Sequence, residues 1–142
     1  MVFEGLGKLG TNPKMHRLIV SRMLGRDLNR NEHVDHINGN GLDNRRSNLR
    51  ISSAAQNHAN KKKQRGNYSS QYKGVCWLKR EKKWWAYIGS SKPGSIVKRS
   101  YLGKFDTEEE AARAYDKAAL KHYKEFALLN FPDENAVCGR YE

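Results

Sequence analysis

Cysteine is scarce in this chain: Cys76 and Cys138 are the only two in 142 residues, and neither has a second cysteine nearby. That excludes a disulfide framework and a four-cysteine zinc site. Any metal must then be held by Asp, Asn or His, and such oxygen-rich ligation suits magnesium or manganese better than zinc. Long apolar runs are also missing. None approaches the ~18 residues of a membrane span, and no apolar signal core follows Met1–Val2–Phe3–Glu4. The expectation is an intracellular chain with no membrane partner. Acidic residues are few, 15 against 27 Lys and Arg, for a net charge of +12 and a pI of about 9.9. A polyanion, nucleic acid by default, is the partner such a charge favours, because bound lysines and arginines release counterions from phosphates.

The deficit of acids is uneven. Residues 1–66 carry 13 basic against 5 acidic residues and residues 67–105 carry 9 against 1, each a net +8. Residues 106–142 carry 5 against 9, a net −4. The length suits one domain or two small ones. Residues 1–13, rich in Gly, read as a mobile lead-in. Met15, Leu18, Ile19 and Met23 recur at helical spacing among Arg17, Arg22 and Arg26, which predicts a short basic helix. Val34–Ile37 is a short strand edge, Asn38–Gly39–Asn40–Gly41 a tight reversal and Leu49–Ile51 the return strand. Ser52 or Ser53 can cap a helix from Ala54 to about Asn60.

Cutting a phosphodiester needs a nucleophilic water, neutralised phosphate charge and relief for the leaving oxygen, which one divalent ion and one base can supply. Asp35 is a hard anionic ligand, His36 a base of suitable resting pKa, and the helix after Ile51 returns an Asn. His16–Arg17–Leu18–Ile19, Val34–Asp35–His36–Ile37–Asn38–Gly39–Asn40, Asp43–Asn44–Arg45–Arg46–Ser47–Asn48–Leu49–Arg50 and Gln56–Asn57 together resemble an HNH endonuclease, the ββα-metal motif of phage and intron homing enzymes. The resemblance implies His36 as general base and Asp35 and Asn57 as metal ligands. It implies that Asn48, twelve residues after His36, braces the loop and the histidine. His58 competes with Asn57 as a ligand, but successive helical residues diverge by about 100°, so one of the two faces the ion. His33 and His122 are assigned no place in the catalytic or metal site. Fifteen residues precede His16, so the expectation is of a shortened form of the nuclease.

Lys61–Lys62–Lys63–Gln64–Arg65–Gly66–Asn67–Tyr68–Ser69–Ser70 has nothing apolar to bury and reads as a linker. Three strands are predicted beyond it, at Tyr72–Leu78, Lys83–Gly89 and Val97–Leu102, with Lys92–Pro93–Gly94 suited to a type II turn. Thr107–Glu108–Glu109–Glu110 is a capping box that opens a helix from Glu108 to about Tyr123. Its stripe of Ala111, Ala112, Tyr115, Ala118, Ala119 and His122 should lie close on Val75, Ala86, Ile88 and Leu102 of the sheet, with His122 as a packing residue. Alternation places Trp84, Ala86 and Ile88 on the core face and leaves Trp85 and Tyr87 exposed beside Lys73, Lys79, Lys82 and Arg99. Positive charge interleaved with aromatic planes is a nucleic-acid surface.

Tyr72–Lys73–Gly74–Val75, Trp85–Ala86–Tyr87–Ile88, Tyr101–Leu102–Gly103–Lys104–Phe105–Asp106–Thr107, Glu109–Glu110–Ala111–Ala112–Arg113–Ala114–Tyr115–Asp116 and Leu129–Asn130–Phe131–Pro132 resemble the plant-type APETALA2/ethylene-responsive DNA-binding domain. Such domains lay a three-stranded sheet in the major groove, and the resemblance puts Lys73, Tyr87, Arg99 and Tyr101 at DNA-contacting positions. Cys76, Tyr87 and Gly89 stand where the family usually has arginine, glutamate and arginine, which implies looser specificity, since each guanine-reading fork is worth ~1–3 kcal/mol.

The expected fold class is α+β. An N-terminal ββα-metal nuclease motif spans residues 14–63, a basic and polar linker 64–71, and a three-stranded antiparallel sheet packed on one helix 72–132. The expected function is a homing-type, metal-dependent DNA endonuclease. It uses His36 and Asn48 for catalysis, Asp35 and Asn57 for one Mg2+ or Mn2+ ion, and Lys61, Lys62, Lys63, Lys73, Lys79, Trp85, Tyr87, Arg99 and Tyr101 to bind duplex DNA. The expected setting is the cytoplasm of a phage-infected or bacterial host cell, with no obligatory protein partner. The alternative is a non-catalytic DNA-binding regulator with a decayed nuclease half.

Overall fold

A computed structural model describes residues 14–63, 65–89 and 99–136. The chain divides into two compact units, with the division after Ala54.

In the first unit, helix α1 (Met15–Leu24) turns Val20 onto Val34 and Leu49, with Ile19, Leu28 and Ile51 around them. It stops at Gly25, whose left-handed backbone lets its amide reach the Ser21 carbonyl. So small a core needs polar ties. The Arg17 guanidinium donates to the carbonyls of Glu32 at 2.7 Å and Leu28 at 3.3 Å, fastening α1 to the segment that follows it. Glu32 accepts two bonds from Arg26, which hold its carboxyl down to about 2. Strands β1 (His33–His36) and β2 (Leu49–Ser52) pair antiparallel, from His33 opposite Ser52 to His36 opposite Leu49. The Ser52 hydroxyl is buried with no hydrogen-bond partner among the described residues, so the cap expected from Ser52 or Ser53 does not come from Ser52.

The second unit opens with helix α2 (Ala54–Ala59), whose first residue precedes the division. Strands β3 (Val75–Leu78), β4 (Lys83–Ile88) and β5 (Ser100–Phe105) form an antiparallel meander. Helix α3 (Glu108–Tyr123) begins at the expected capping box, Thr107 Oγ1 accepting from the Glu110 amide and Glu110 reaching back to the Thr107 amide, both at 3.2 Å. Val75, Ala86 and Ile88 meet Ala111, Ala112, Tyr115 and Ala119, all buried, with Leu102 at the border. The alanines let helix and sheet approach without large side chains between them. His122 is exposed, so it is not the packing residue expected; half-buried Tyr123 joins the core instead.

Departures from the expected elements have local causes. The first strand starts at Val75, not Tyr72, because Gly74 adopts a left-handed backbone (φ +74°) and Lys73 spends its amide on the Asn130 side chain. The third strand runs on to Phe105, because Trp84 pairs with Phe105 and Trp85 with Lys104. A bulge at Ala86/Tyr87 then shifts the register so that Tyr87 faces Tyr101. Val97, Lys98 and the Lys92–Pro93–Gly94 turn lie outside the described residues. Helix α4 (Pro132–Ala136) was not anticipated, although proline at a first helical position is a known start signal.

The stretch read as a linker carries more structure than its composition suggests. Ser70 is buried and donates to Glu108 at 2.6 Å, and the Lys63 ammonium donates to the carbonyls of Ser70 and Tyr72 at 2.7 and 2.8 Å. The chain after α3 is fixed by Asp116, 1 % exposed, which accepts from the amides of Asn130 and Phe131 at 2.8 Å.

Gly74→Ala is predicted to destabilise the second unit by about 2–4 kcal/mol, because a Cβ there would stand 2.0 Å from the Tyr115 ring and 2.7 Å from the Tyr87 carbonyl. Gly39→Ala, with similar φ (+71°) and nothing within 4 Å, should cost the first unit only about 1–2 kcal/mol. Urea unfolding of the two variants checks the contrast.

Candidate functional sites

The first site is assembled where β1 ends. Asp35 and His36 are neighbours on a strand, so their side chains diverge. Asp35 is buried at 4 % exposure and His36 half-buried. Directly across the ladder, Arg50 donates from both Nε and Nη2 to Asp35 Oδ2, each at 2.9 Å. His36 Nε2 lies 3.1 Å from Asn44 Oδ1. An amide oxygen can only accept, so in this contact Nε2 is the donor.

The loop between β1 and β2 is cross-braced by amides. Asn48, buried, accepts from the Asn38 amide at 3.0 Å and donates to Asn38 Oδ1 at 2.9 Å and to the Asp43 carbonyl at 2.8 Å. Its own carbonyl accepts from Ile37 at 2.9 Å. Asn38 Oδ1 also accepts from the Asn40 amide, and Asn38 Nδ2 donates to Asp43, both at 2.9 Å. Arg45 clasps the Asp43 carboxylate and, as the largest influence, drives its pKa far below the usual range. Asn48 thus sits at the centre of a loop that ends in Asn44 against the His36 ring.

Two participants were not singled out from sequence. Asn44 had only its place in the motif to mark it. His16, on α1, places its ring 5.3 Å from that of His36 in an edge-to-face arrangement, and burial first, then His36, lowers its pKa. Asn57 is half-buried on α2 in the second unit and His58 is exposed. Among the described residues there is no group of three or more His, Cys, Asp or Glu that could hold a metal ion. Asp35 is a buried carboxylate of the hard-ligand kind, here paired with Arg50.

The second site is the sheet face turned away from α3. Tyr101, 55 % exposed, packs against the Trp85 ring at 5.2 Å, Lys104 lies 5.6 Å over Trp85, and the Arg99 guanidinium stacks 3.9 Å over Tyr87. Four expected contacts, Trp85, Tyr87, Arg99 and Tyr101, are therefore brought together. The indole N–H of Trp85 is buried with no acceptor among the described residues, an unmade bond of the kind that costs about 1–3 kcal/mol. Lys79, Lys61 and Lys62 are exposed. Lys104, which sequence reasoning missed, also pairs with Glu81.

Lys73 and Lys63 differ from expectation. The Lys73 ammonium is turned inward onto the carbonyls of Ala59 and Lys61, and burial lowers its pKa to about 8. Lys63 is held by backbone carbonyls and also lowered by burial. Both act here as ties within the second unit. Their lysine-rich surroundings carried no signal that these two ammonium groups would fold back.

Residues 14–59 match the HNH endonuclease family model, and residues 70–125 match the AP2 domain model. The HNH match ends where α2 ends, and the AP2 match covers β3 to β5, α3 and the turn after it. The chain is 43 % identical over 84 residues to the AP2-like ethylene-responsive transcription factor TOE2 of Arabidopsis thaliana, covering 58 % of this chain and 15 % of that protein. It is 44 % identical over 73 residues to APETALA2-like protein 2 of Oryza sativa subsp. indica, covering 50 % and 16 %. It is 42 % identical over 67 residues to dehydration-responsive element-binding protein 2D of Arabidopsis thaliana, covering 47 % and 31 %. The chain thus spans at most about a third of the length of these relatives. They are plant proteins and lend no support to the phage or bacterial setting expected. No helix among the described residues is long and apolar enough to cross a membrane.

A lysine whose folded pKa lies below its unfolded value opposes folding while charged. The unfolded chain then binds more protons than the folded one between pH ~8 and ~10.4, so stability rises with pH across that window. Urea unfolding of the second unit is predicted to move to higher urea between pH 7.5 and 9.5, and Lys73→Met should remove most of the rise.

Proposed function

We propose that this chain is a metal-dependent DNA endonuclease of the homing type, with the AP2-matching sheet binding duplex DNA and the HNH-matching unit cutting it. The observation that carries this reading is His36, its Nε2 held 3.1 Å from Asn44 Oδ1 and next in sequence to buried Asp35, inside the stretch that matches HNH endonucleases. In this reading His36 takes the proton of the attacking water at Nδ1. A new P–O bond forms as the bond to the leaving oxygen breaks, and that oxygen takes up a proton from solvent. Asn44 orients the imidazole through its contact with Nε2. Asn48 keeps Asn44 and β1 in register.

Asp35 would contribute a carboxylate to one divalent ion, Mg2+ or Mn2+, which would supply charge neutralisation at the phosphate and leaving oxygen. Trp85, Tyr87, Arg99 and Tyr101 form the DNA-binding face, supported by exposed Lys61, Lys62 and Lys79. Joining the two functions on one chain raises the local concentration of the cutting site at bound DNA. A second reading, a non-catalytic DNA-binding regulator, is favoured by the Asp35–Arg50 pair and by relatives whose names are those of transcription factors.

Supercoiled plasmid with Mg2+, and then with chelator, separates the two readings. The nuclease reading predicts Mg2+-dependent nicks. His36→Ala should slow nicking by at least ~100-fold, with gel-shift affinity unchanged, because it deletes a base and no phosphate contact. Asn44→Ala should fall between His36→Ala and the parent. Bound DNA that is never nicked in Mg2+ or Mn2+ would favour the regulator.

A further inference from the structure

The loop between β1 and β2 carries an apolar side chain that the fold does not cover. Leu42 is 89 % exposed, more than any other large hydrophobic side chain among the described residues. Its backbone is nevertheless tied on both sides. The Leu42 amide donates to Asn40 Oδ1 and the Asp43 amide to the Asn40 carbonyl, both at 3.1 Å, and the Asp43 carbonyl accepts from Asn48 Nδ2 at 2.8 Å. A leucine on a slack chain can fold back onto apolar surface and leave water. Here the turn holds it out in solvent.

The neighbours of Leu42 decide what could cover it. Apart from Ile37 at the start of the loop, the other exposed residues up to Ser47 are glycine, Asn38, Asn40, Arg45 and Arg46. A protein partner needs an apolar patch inside an interface of about 1,000 Å², and one leucine ringed by amides does not make one. Duplex DNA can take a single apolar wedge between two base pairs, with cations on the flanking phosphates. The loop supplies both parts, because Arg45 and Arg46 are exposed and its one carboxylate, Asp43, is neutralised by Arg45. Two residues beyond Leu42, Asn44 Oδ1 lies 3.1 Å from His36 Nε2, so the tip and the histidine are joined by one braced loop.

We propose that Leu42 is a wedge that enters a base step of duplex DNA and kinks it at the cutting site. Insertion unstacks the two base pairs, and pyrimidine–purine steps yield most easily. The wedge therefore selects the step to be cut without reading any base edge. That the kink lies at a cut rests on the nuclease reading above; that Leu42 enters the duplex does not.

The test uses the full-length chain on a closed circular plasmid. In chelator, a metal-independent topoisomerase relaxes the protein-bound plasmid, and the linking number after protein removal reports how far the duplex was unwound. The parent is expected to leave the plasmid underwound, by an amount that grows with occupancy in a gel-shift assay. At equal occupancy Leu42→Ala should lose at least ~threefold of that shift, and Leu42→Phe, which keeps an apolar wedge, should retain it. Urea unfolding of both variants should match the parent, since the side chain is so exposed. A parent that does not unwind the plasmid, or a Leu42→Ala variant that unwinds it equally, overturns the proposal. In Mg2+, the parent's nicks should gather at pyrimidine–purine steps, and Leu42→Ala should nick about tenfold more slowly with that preference gone. A preference unchanged in Leu42→Ala overturns the placing of the wedge at the cut. Unwinding that depends on Leu42 in a parent that never nicks upholds the wedge and overturns the nuclease reading.

Discussion

A polar group taken out of water must find its partners inside the fold, and in a chain with such small apolar cores that requirement does much of the shaping. Among its described residues, the apolar core of the first unit is Val20, Val34 and Leu49 with Ile19, Leu28 and Ile51 packed around them. Its long loop is given form by the side-chain amide of Asn48, which both accepts and donates across it. The second unit repeats the device with the Asp116 carboxylate, which gathers the amides of Asn130 and Phe131 while the Asn130 side chain grips both backbone groups of Lys73. Removing either buried group would leave several partners unsatisfied at once, a larger penalty than losing any single bond.

That dependence connects fold to chemistry. Asn44 reaches His36 only because the Asn38–Asp43–Asn48 network sets the loop's course. Tyr87 and Tyr101 meet on one face only because a bulge after Ala86 resets the ladder. The sheet's inner face is claimed by the alanines of α3, which leaves Trp85, Tyr87 and Tyr101 outward with Arg99 and Lys104 stacked over aromatic rings. Stacked cations of this kind are pre-ordered, so a nucleic-acid partner would meet them with part of the entropic cost already met by the fold.

What the sequence made legible was what is written locally. The capping box placed α3 at Glu108–Tyr123, helical spacing placed α1, and period-two alternation sorted Trp84, Ala86 and Ile88 from Trp85 and Tyr87. What escaped depends on partners distant in sequence. Nothing near Lys73 announces that its ammonium will be taken by the Ala59 carbonyl, nor does anything near Asp35 announce Arg50, because each pairing follows from how loops close and strands register. The exposed His122 shows the limit of periodicity: a stripe drifts along a helix, and Tyr123 takes the place the spacing had suggested for the histidine.

Whether the sheet directs the cut can be measured in one experiment, by comparing the protected stretch of a duplex with the positions at which it is cut. Hydroxyl-radical footprinting in chelator would locate the bound DNA, and end-mapping after Mg2+ addition would locate the nicks. The account predicts nicks at a fixed offset from the footprint, and predicts that Arg99→Ala with Tyr101→Ala abolishes the footprint and scatters the nicks without abolishing them at high protein concentration. Nicks unrelated to the protected stretch, or a footprint unchanged by the sheet substitutions, would contradict it.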